Sequence, residues 1–127
     1  MRRFILLLFT AFSITACTLE EETVNFRFTN NTSEEIYVSY DFDNPVVASF
    51  VDPASNSANI IPAMGSFLQS AYLSLFSQEK EMTLIIVTKS VYDSNTWQDI
   101  VDNDLYDVRY DVTLAQLRDM NNEFIYD

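Results

Sequence analysis

Apolar and polar residues alternate along much of this chain, and the alternation predicts mostly strands. Val24, Phe26 and Phe28 alternate with Asn25, Arg27 and Thr29. Ile36, Val38, Tyr40 and Phe42 form a second apolar face opposite Tyr37, Ser39 and Asp41. Period two in aromatic and β-branched residues reads as half-buried strand. Asn30-Asn31-Thr32-Ser33 between them reads as a turn, because Asn tolerates left-handed backbone and its side chain can close a local ring. The pair is expected to form a hairpin. Asp43-Asn44-Pro45 breaks the second strand, Val46 to Val51 suggests a short edge strand, and DPASNSAN from Asp52 to Asn59 is the clearest loop.

Ile60-Ile61 opens another short strand, and Pro62-Ala63-Met64-Gly65 has the residues of a type I turn. Ser66 to Ser77 fits a helical stripe or a strand; its surroundings favour strand. The run Leu84-Ile85-Ile86-Val87 has no polar interruption and predicts a central strand covered on both faces. Asp93, Ser94 or Asn95 would cap a short helix from Thr96 to about Val101. A strand from Leu105 carries Tyr106, Val108, Tyr110 and Val112 on one face. Thr113-Leu114-Ala115-Gln116 is a capping box opening a helix to Met120, Asn121-Asn122 stops it, and Phe124 to Tyr126 form a last strand. Together these predict a mainly β fold. It is an antiparallel β-sandwich, immunoglobulin-like or transthyretin-like, of about seven short strands with two short helical inserts near the C-terminus.

The first residues follow different rules. Arg2 and Arg3 precede an apolar run from Phe4 to about Ile14, which is too short for the roughly 20 apolar residues of a spanning helix. A basic start, a short apolar middle and small residues at the end make a secretory signal. Ile14-Thr15-Ala16-Cys17 resembles the lipobox of bacterial lipoproteins. That resemblance implies cleavage after Ala16 and lipid on Cys17, the chain's single cysteine. The alternative is an ordinary signal peptide with Cys17 near the cut. Two or more acyl chains anchor stably where one holds only weakly. Glu20, Glu21 and Glu22 resemble the surface-export signal of Bacteroidota lipoproteins; the plainer reading is a solvated acidic tether. The expected organisation is a signal peptide over 1–16, lipidated Cys17 and tether over 17–22, and a sandwich domain over 23–127.

Composition narrows the chemistry. Losing residues 1–16 would leave 111 of 127 residues, enough for one domain with a core. Without Arg2 and Arg3, five basic residues stand against nineteen acidic ones, a net charge of −14. Phosphate backbones would repel such a chain, so no nucleic-acid partner is expected. With Cys17 acylated no disulfide can form. No His is present, which removes Ser-His-Asp and Cys-His catalysis and most zinc sites. The single glycine, Gly65, cannot make a phosphate-cradling loop. Carboxylates are too numerous for any glycosidase-like pair to stand out. Asp41, Asp43 and Asn44, and separately Asp102, Asn103 and Asp104, lack calcium-loop spacing and read as solvated turns. No enzyme activity, cofactor or metal is predicted.

The ligand-binding candidates are Trp97, Arg109 and Tyr37, each with a competing structural role. Trp97 can anchor a short helix. Arg109 shares a face with Asp107 and Asp111 and can form an exposed cross-strand ion pair. Tyr37, with Tyr72 and Tyr92, can offer an aromatic surface or belong to the core.

The second half, LIIVTKSVYDSNTWQDIVDNDLYDVRYDVTLAQLRDMNNEFIYD, resembles the C-terminal part of small uncharacterised lipoproteins of gut Bacteroidota. The matching pieces are Leu84 to Val87, Trp97, Arg109-Tyr110, Leu114 with Leu117, and Phe124 to Tyr126. Phe28 to Asn31 and Ile36 to Val38 match more loosely. The chain departs from the group at Asp127, where Pro is usual, and at Asn122, where Trp is frequent. The resemblance implies an outer-membrane, lipid-anchored protein, surface-exposed or facing the periplasm, and no known activity. The expected role is a non-enzymatic binding or accessory module for a protein or glycan. The alternative is a structural envelope or fimbria-associated assembly component without a small ligand.

Overall fold

A computed structural model describes residues 22–127. Cys17, the Ile14-Thr15-Ala16 cleavage site, Glu20 and Glu21 lie outside the described residues. Among the described residues, seven strands form two sheets. The first has the order β4 (Ser66–Tyr72), β1 (Thr23–Asn30), β7 (Glu123–Tyr126). The second has the order β3 (Ile60–Ile61), β2 (Ile36–Phe42), β5 (Met82–Thr88), β6 (Val108–Val112). The short helices are α1 (Lys89–Ser94), α2 (Trp97–Asp102) and α3 (Leu114–Asp119).

The mainly β sandwich of about seven strands is what the alternation predicts. Its wiring is not. β1 and β2 do not form a hairpin: β1 pairs with β4 and β7, and β2 pairs with β3 and β5. The Asn30–Glu35 turn carries the chain from one sheet to the other. Asn30 enforces this crossing. Its buried amide donates to the carbonyls of Glu34 (2.7 Å), Pro62 (3.1 Å) and Ile61 (3.3 Å). Its Oδ1 accepts from the Thr32 backbone and hydroxyl. A buried amide needs such partners, and here they tie the turn to the β3–β4 connection. One pairing is also parallel, between β1 and β7, within otherwise antiparallel sheets.

Between the sheets lies an aromatic core. Phe26 and Phe28 of β1, Phe124 of β7, and Tyr40 of β2 meet at centroid distances of 5.6–6.4 Å. Three of these five pairs are edge-to-face and two are tilted, and such aromatic pairs add about 0.5–1.5 kcal/mol beyond area burial. Met82, Leu84 and Ile86 of β5 fill the same space. The other face of the second sheet is buried too. Tyr37, Ile85 and Val87 pack there against Val47, Phe50, Ile100 and Val101. Every residue of β5 is therefore buried, as its unbroken apolar run predicts. The molecule has three layers: outer sheet, inner sheet, and a cover of helices and turns.

That cover corrects other expectations. Val46 to Val51 holds a 3₁₀ turn, Val47–Ser49, not an edge strand, because Val47 and Phe50 both turn inward onto the sheet. Helical structure is not confined to two late inserts: α1 is a third helix, and 3₁₀ turns also occur at Pro53–Ser55, Ser57–Asn59 and Leu73–Glu79. Ser66 to Ser77 divides, strand to Tyr72 and 3₁₀ after it. α2 is capped by Thr96, whose hydroxyl accepts from Asp99 N, since Asp93 and Ser94 already lie in α1. β6 begins at Val108, not Leu105, because Asp104 takes left-handed backbone (φ 53°) after α2. The Thr113–Gln116 capping box is present, and Asn121 and Asn122 stop α3 in left-handed geometry.

Two-sided burial of β5 has a measurable consequence. Leu84→Ala and Ile85→Ala point to opposite faces, and each should cost about 2–5 kcal/mol in urea unfolding. An exposed outer face would make Ile85→Ala nearly neutral.

Candidate functional site

The segment from Pro45 to Asp52 crosses the outward face of the inner sheet like a strap. Val47 and Phe50 supply its apolar contacts. Four polar ties hold its backbone and one carboxylate. Arg109 Nη2 on β6 donates to the Pro45 carbonyl at 3.2 Å. Trp97 Nε1 on α2 donates to the Phe50 carbonyl at 2.9 Å. Ser39 Oγ on β2 donates to the Val51 carbonyl at 2.9 Å. The Tyr92 hydroxyl on α1 donates to the Asp52 carboxylate at 2.8 and 3.0 Å.

Two of the three ligand candidates supply ties, and the third, Tyr37, stacks on Tyr92, which supplies another. Trp97 is half-buried and anchors both α2 and the strap. Arg109 does not pair across strands; it pairs with Asp111 two residues along its own strand, at 3.0 and 3.2 Å. The Arg109 guanidinium, helped by the Thr83 hydroxyl, holds the Asp111 carboxyl below its usual range. Tyr37 is buried, stacks on Tyr92 at 4.2 Å and 15°, and bonds Glu35. Tyr72, by contrast, is 54% exposed at the end of β4. Glu22 is exposed, and its carbonyl accepts from Leu73 N, so the β1–β4 ladder reaches back into the expected tether. The strap ties escaped sequence reasoning because each joins a side chain to a backbone carbonyl or carboxylate more than ten residues away, which no spacing encodes.

A hollow of about 340 Å³ opens between the strap and the edge of the inner sheet. Its polar wall includes Asp41, Ser49, Asp52, Ser55, Asn56 and Asn59. Most of these groups are locally engaged: Asp52 Oδ1 accepts from Ala54 N, Asn56 Oδ1 from Ala58 N, and Asp41 Oδ2 from the Asn44 amide. Carboxylates keep spare lone pairs in such bonds, and the Asn amides keep donors. The wall therefore offers neighbouring acceptors and donors suited to hydroxyl groups. A second hollow of about 390 Å³ lies near Asp43, Gln78, Glu79 and Lys80. Asp43, Gln78 and Glu79 there adopt left-handed backbone (φ 51–60°), and Lys80 reaches Asp43 at 3.7 Å across an exposed gap. Exposed pairs of this kind contribute about 0–1 kcal/mol.

Among the described residues no group of three acidic or other metal-ligating side chains is placed to hold a metal ion. No helix among them is long and apolar enough to cross a membrane. No family model, curated protein or solved structure matches the chain.

Burial, and then the bond to Asp52, push the Tyr92 hydroxyl up to about 12 from its ordinary value of 10.0. A tyrosine whose folded value is raised holds its proton longer folded than unfolded. Its stabilisation is complete below pH 10 and is lost as pH rises towards 12. Stability should fall across that window, and Tyr92→Phe should flatten the fall in urea titrations at stepped pH. An unchanged slope would show that the strap does not depend on this bond.

Proposed function

We propose that this chain is a lipid-anchored cell-envelope protein whose sandwich domain binds a hydroxyl-rich ligand, a glycan, without catalysis. The polar hollow beside the strap carries the ligand side of this reading. It sets acceptor carboxylates beside amide donors, the pairing that sugar hydroxyls meet with both their lone pairs and their protons. The strap supports it by holding the wall of the hollow to the inner sheet through Arg109 and Ser39 and to the covering helices through Trp97 and Tyr92. The lipobox-like Ile14-Thr15-Ala16-Cys17 supports the anchor, and β1 begins six residues after Cys17, so the domain would hang close to the bilayer from its first strand. Location at the outer membrane, outside or facing the periplasm, follows from the same resemblance to Bacteroidota lipoproteins, as does a surface-export role for Glu20 to Glu22. A structural assembly role is the second reading, favoured by the open edge of β4.

A glycan array probed with the Thr18–Asp127 fragment tests the ligand. Binding should appear for a defined glycan set, and Asn59→Ala should weaken it about five- to tenfold, the loss expected for one or two hydrogen bonds. Binding to no glycan, or binding indifferent to Asn59 and Asn56 replacements, contradicts the reading. Cys17→Ser should separately abolish labelling by a palmitate analogue; labelling that survives contradicts the anchor.

A further inference from the structure

The free side of β4 differs from the rest of the surface. Leu73 N donates to Glu22 O, and Asn30 N donates to Gly65 O. With the continuous β1–β4 register, these bonds fix the phase of the ladder. Odd-numbered β4 residues turn their backbone groups towards β1. Ser66, Leu68, Ser70 and Tyr72 turn their N–H and C=O groups outward. Among the described residues no strand pairs with that edge.

Edge strands that remain alone are usually short, bulged, or guarded by charge or proline. β4 has seven residues, no bulge in its register, no charge and no proline. Leu68 is 59% exposed and Tyr72 54% exposed along it. In a chain with nineteen acidic residues, most surfaces of two copies would repel on approach. This strand would not.

We propose that β4 pairs antiparallel with β4 of a second copy, about a two-fold axis at Gln69, joining two three-stranded sheets into one of six. The sequence SFLQSAY is self-complementary in size about that centre. Ser66 faces Tyr72 of the second copy, Phe67 faces Ala71, Leu68 faces Ser70, and Gln69 faces itself. Each bulky residue meets a small one. The register also puts outward-pointing residues opposite outward-pointing residues, so the ladder phase is met on both strands. Gln69 then forms a close, non-hydrogen-bonded pair, with Cα atoms about 4.5 Å apart. The Gln69 side chain donates to the Ala58 carbonyl at 3.0 Å, so this edge adjoins the loop that carries Asn56 and Asn59; pairing uses the backbone of β4, and the proposal does not depend on glycan binding.

Disulfide trapping in membranes holding the full-length protein tests it. On mild oxidation Gln69→Cys should give a covalent dimer as its main product, since that pair geometry suits a disulfide. Asn25→Cys, on neighbouring β1, should give none. Co-expressed Leu68→Cys and Ser70→Cys chains should cross-link to each other more than either does alone. Both side chains are exposed, so this arm reports even if Gln69→Cys fails to fold. Absence of dimer in both arms overturns the proposal. So does equal trapping by Asn25→Cys, or β4 cysteines captured by a different protein.

Discussion

The central strand of the inner sheet, β5, carries apolar side chains on both faces, and that condition sets most of the remaining architecture. Leu84 and Ile86 point to one side of β5, Ile85 and Val87 to the other, and all four are essentially excluded from solvent. A sheet of this kind needs two covers. The outer sheet supplies one through Phe26, Phe28 and Phe124. The strap and the first two helices supply the other through Val47 and Phe50, Val91 and Tyr92, and Ile100 and Val101. Each fully buried aliphatic side chain contributes about 1.5–3 kcal/mol relative to exposure, so neither cover is dispensable.

The second cover explains why the chain places its polar ties as it does. A strap made of 3₁₀ turns cannot join a β-ladder, so its carbonyls need other donors. Arg109, Trp97 and Ser39 provide them, each from a different element. Ligand-like residue types thus serve as fasteners, and the hollow beside the strap is lined instead by the less conspicuous Asp, Asn and Ser side chains. The same cover also directs the molecule's surfaces. Two faces of the inner sheet are consumed internally, and the outer sheet keeps one free face and the open β4 edge.

Much of the fold was legible from local pattern. Period two marked β1, β2 and β6, the last begun three residues early, the unbroken apolar run marked β5, and the Thr113–Gln116 box marked the start of α3. Wiring was not legible. Asn30-Asn31-Thr32-Ser33 is turn chemistry whether the chain returns beside itself or crosses to another sheet, and only the distant carbonyls of Ile61 and Pro62 decide between them. Val46 to Val51 misled because buried Val and Phe suit a strand and a covering turn equally. The candidate site was the least legible part. Trp97, Arg109 and Tyr37 stood out by residue type, whereas Asn56 and Asn59 sit in a stretch whose composition signals only a loop.

The three-layer arrangement, with β5 in its middle, is tested most directly by native-state hydrogen exchange resolved by residue. Amides of Thr83 to Val87 should exchange only through global unfolding, while those of Ala54 and Ser57 in the exposed turns exchange through local fluctuation and those of the strap fall between. Exchange of the β5 amides as fast as those of the exposed turns would show that the inner sheet lacks one of its covers, and would contradict the architecture.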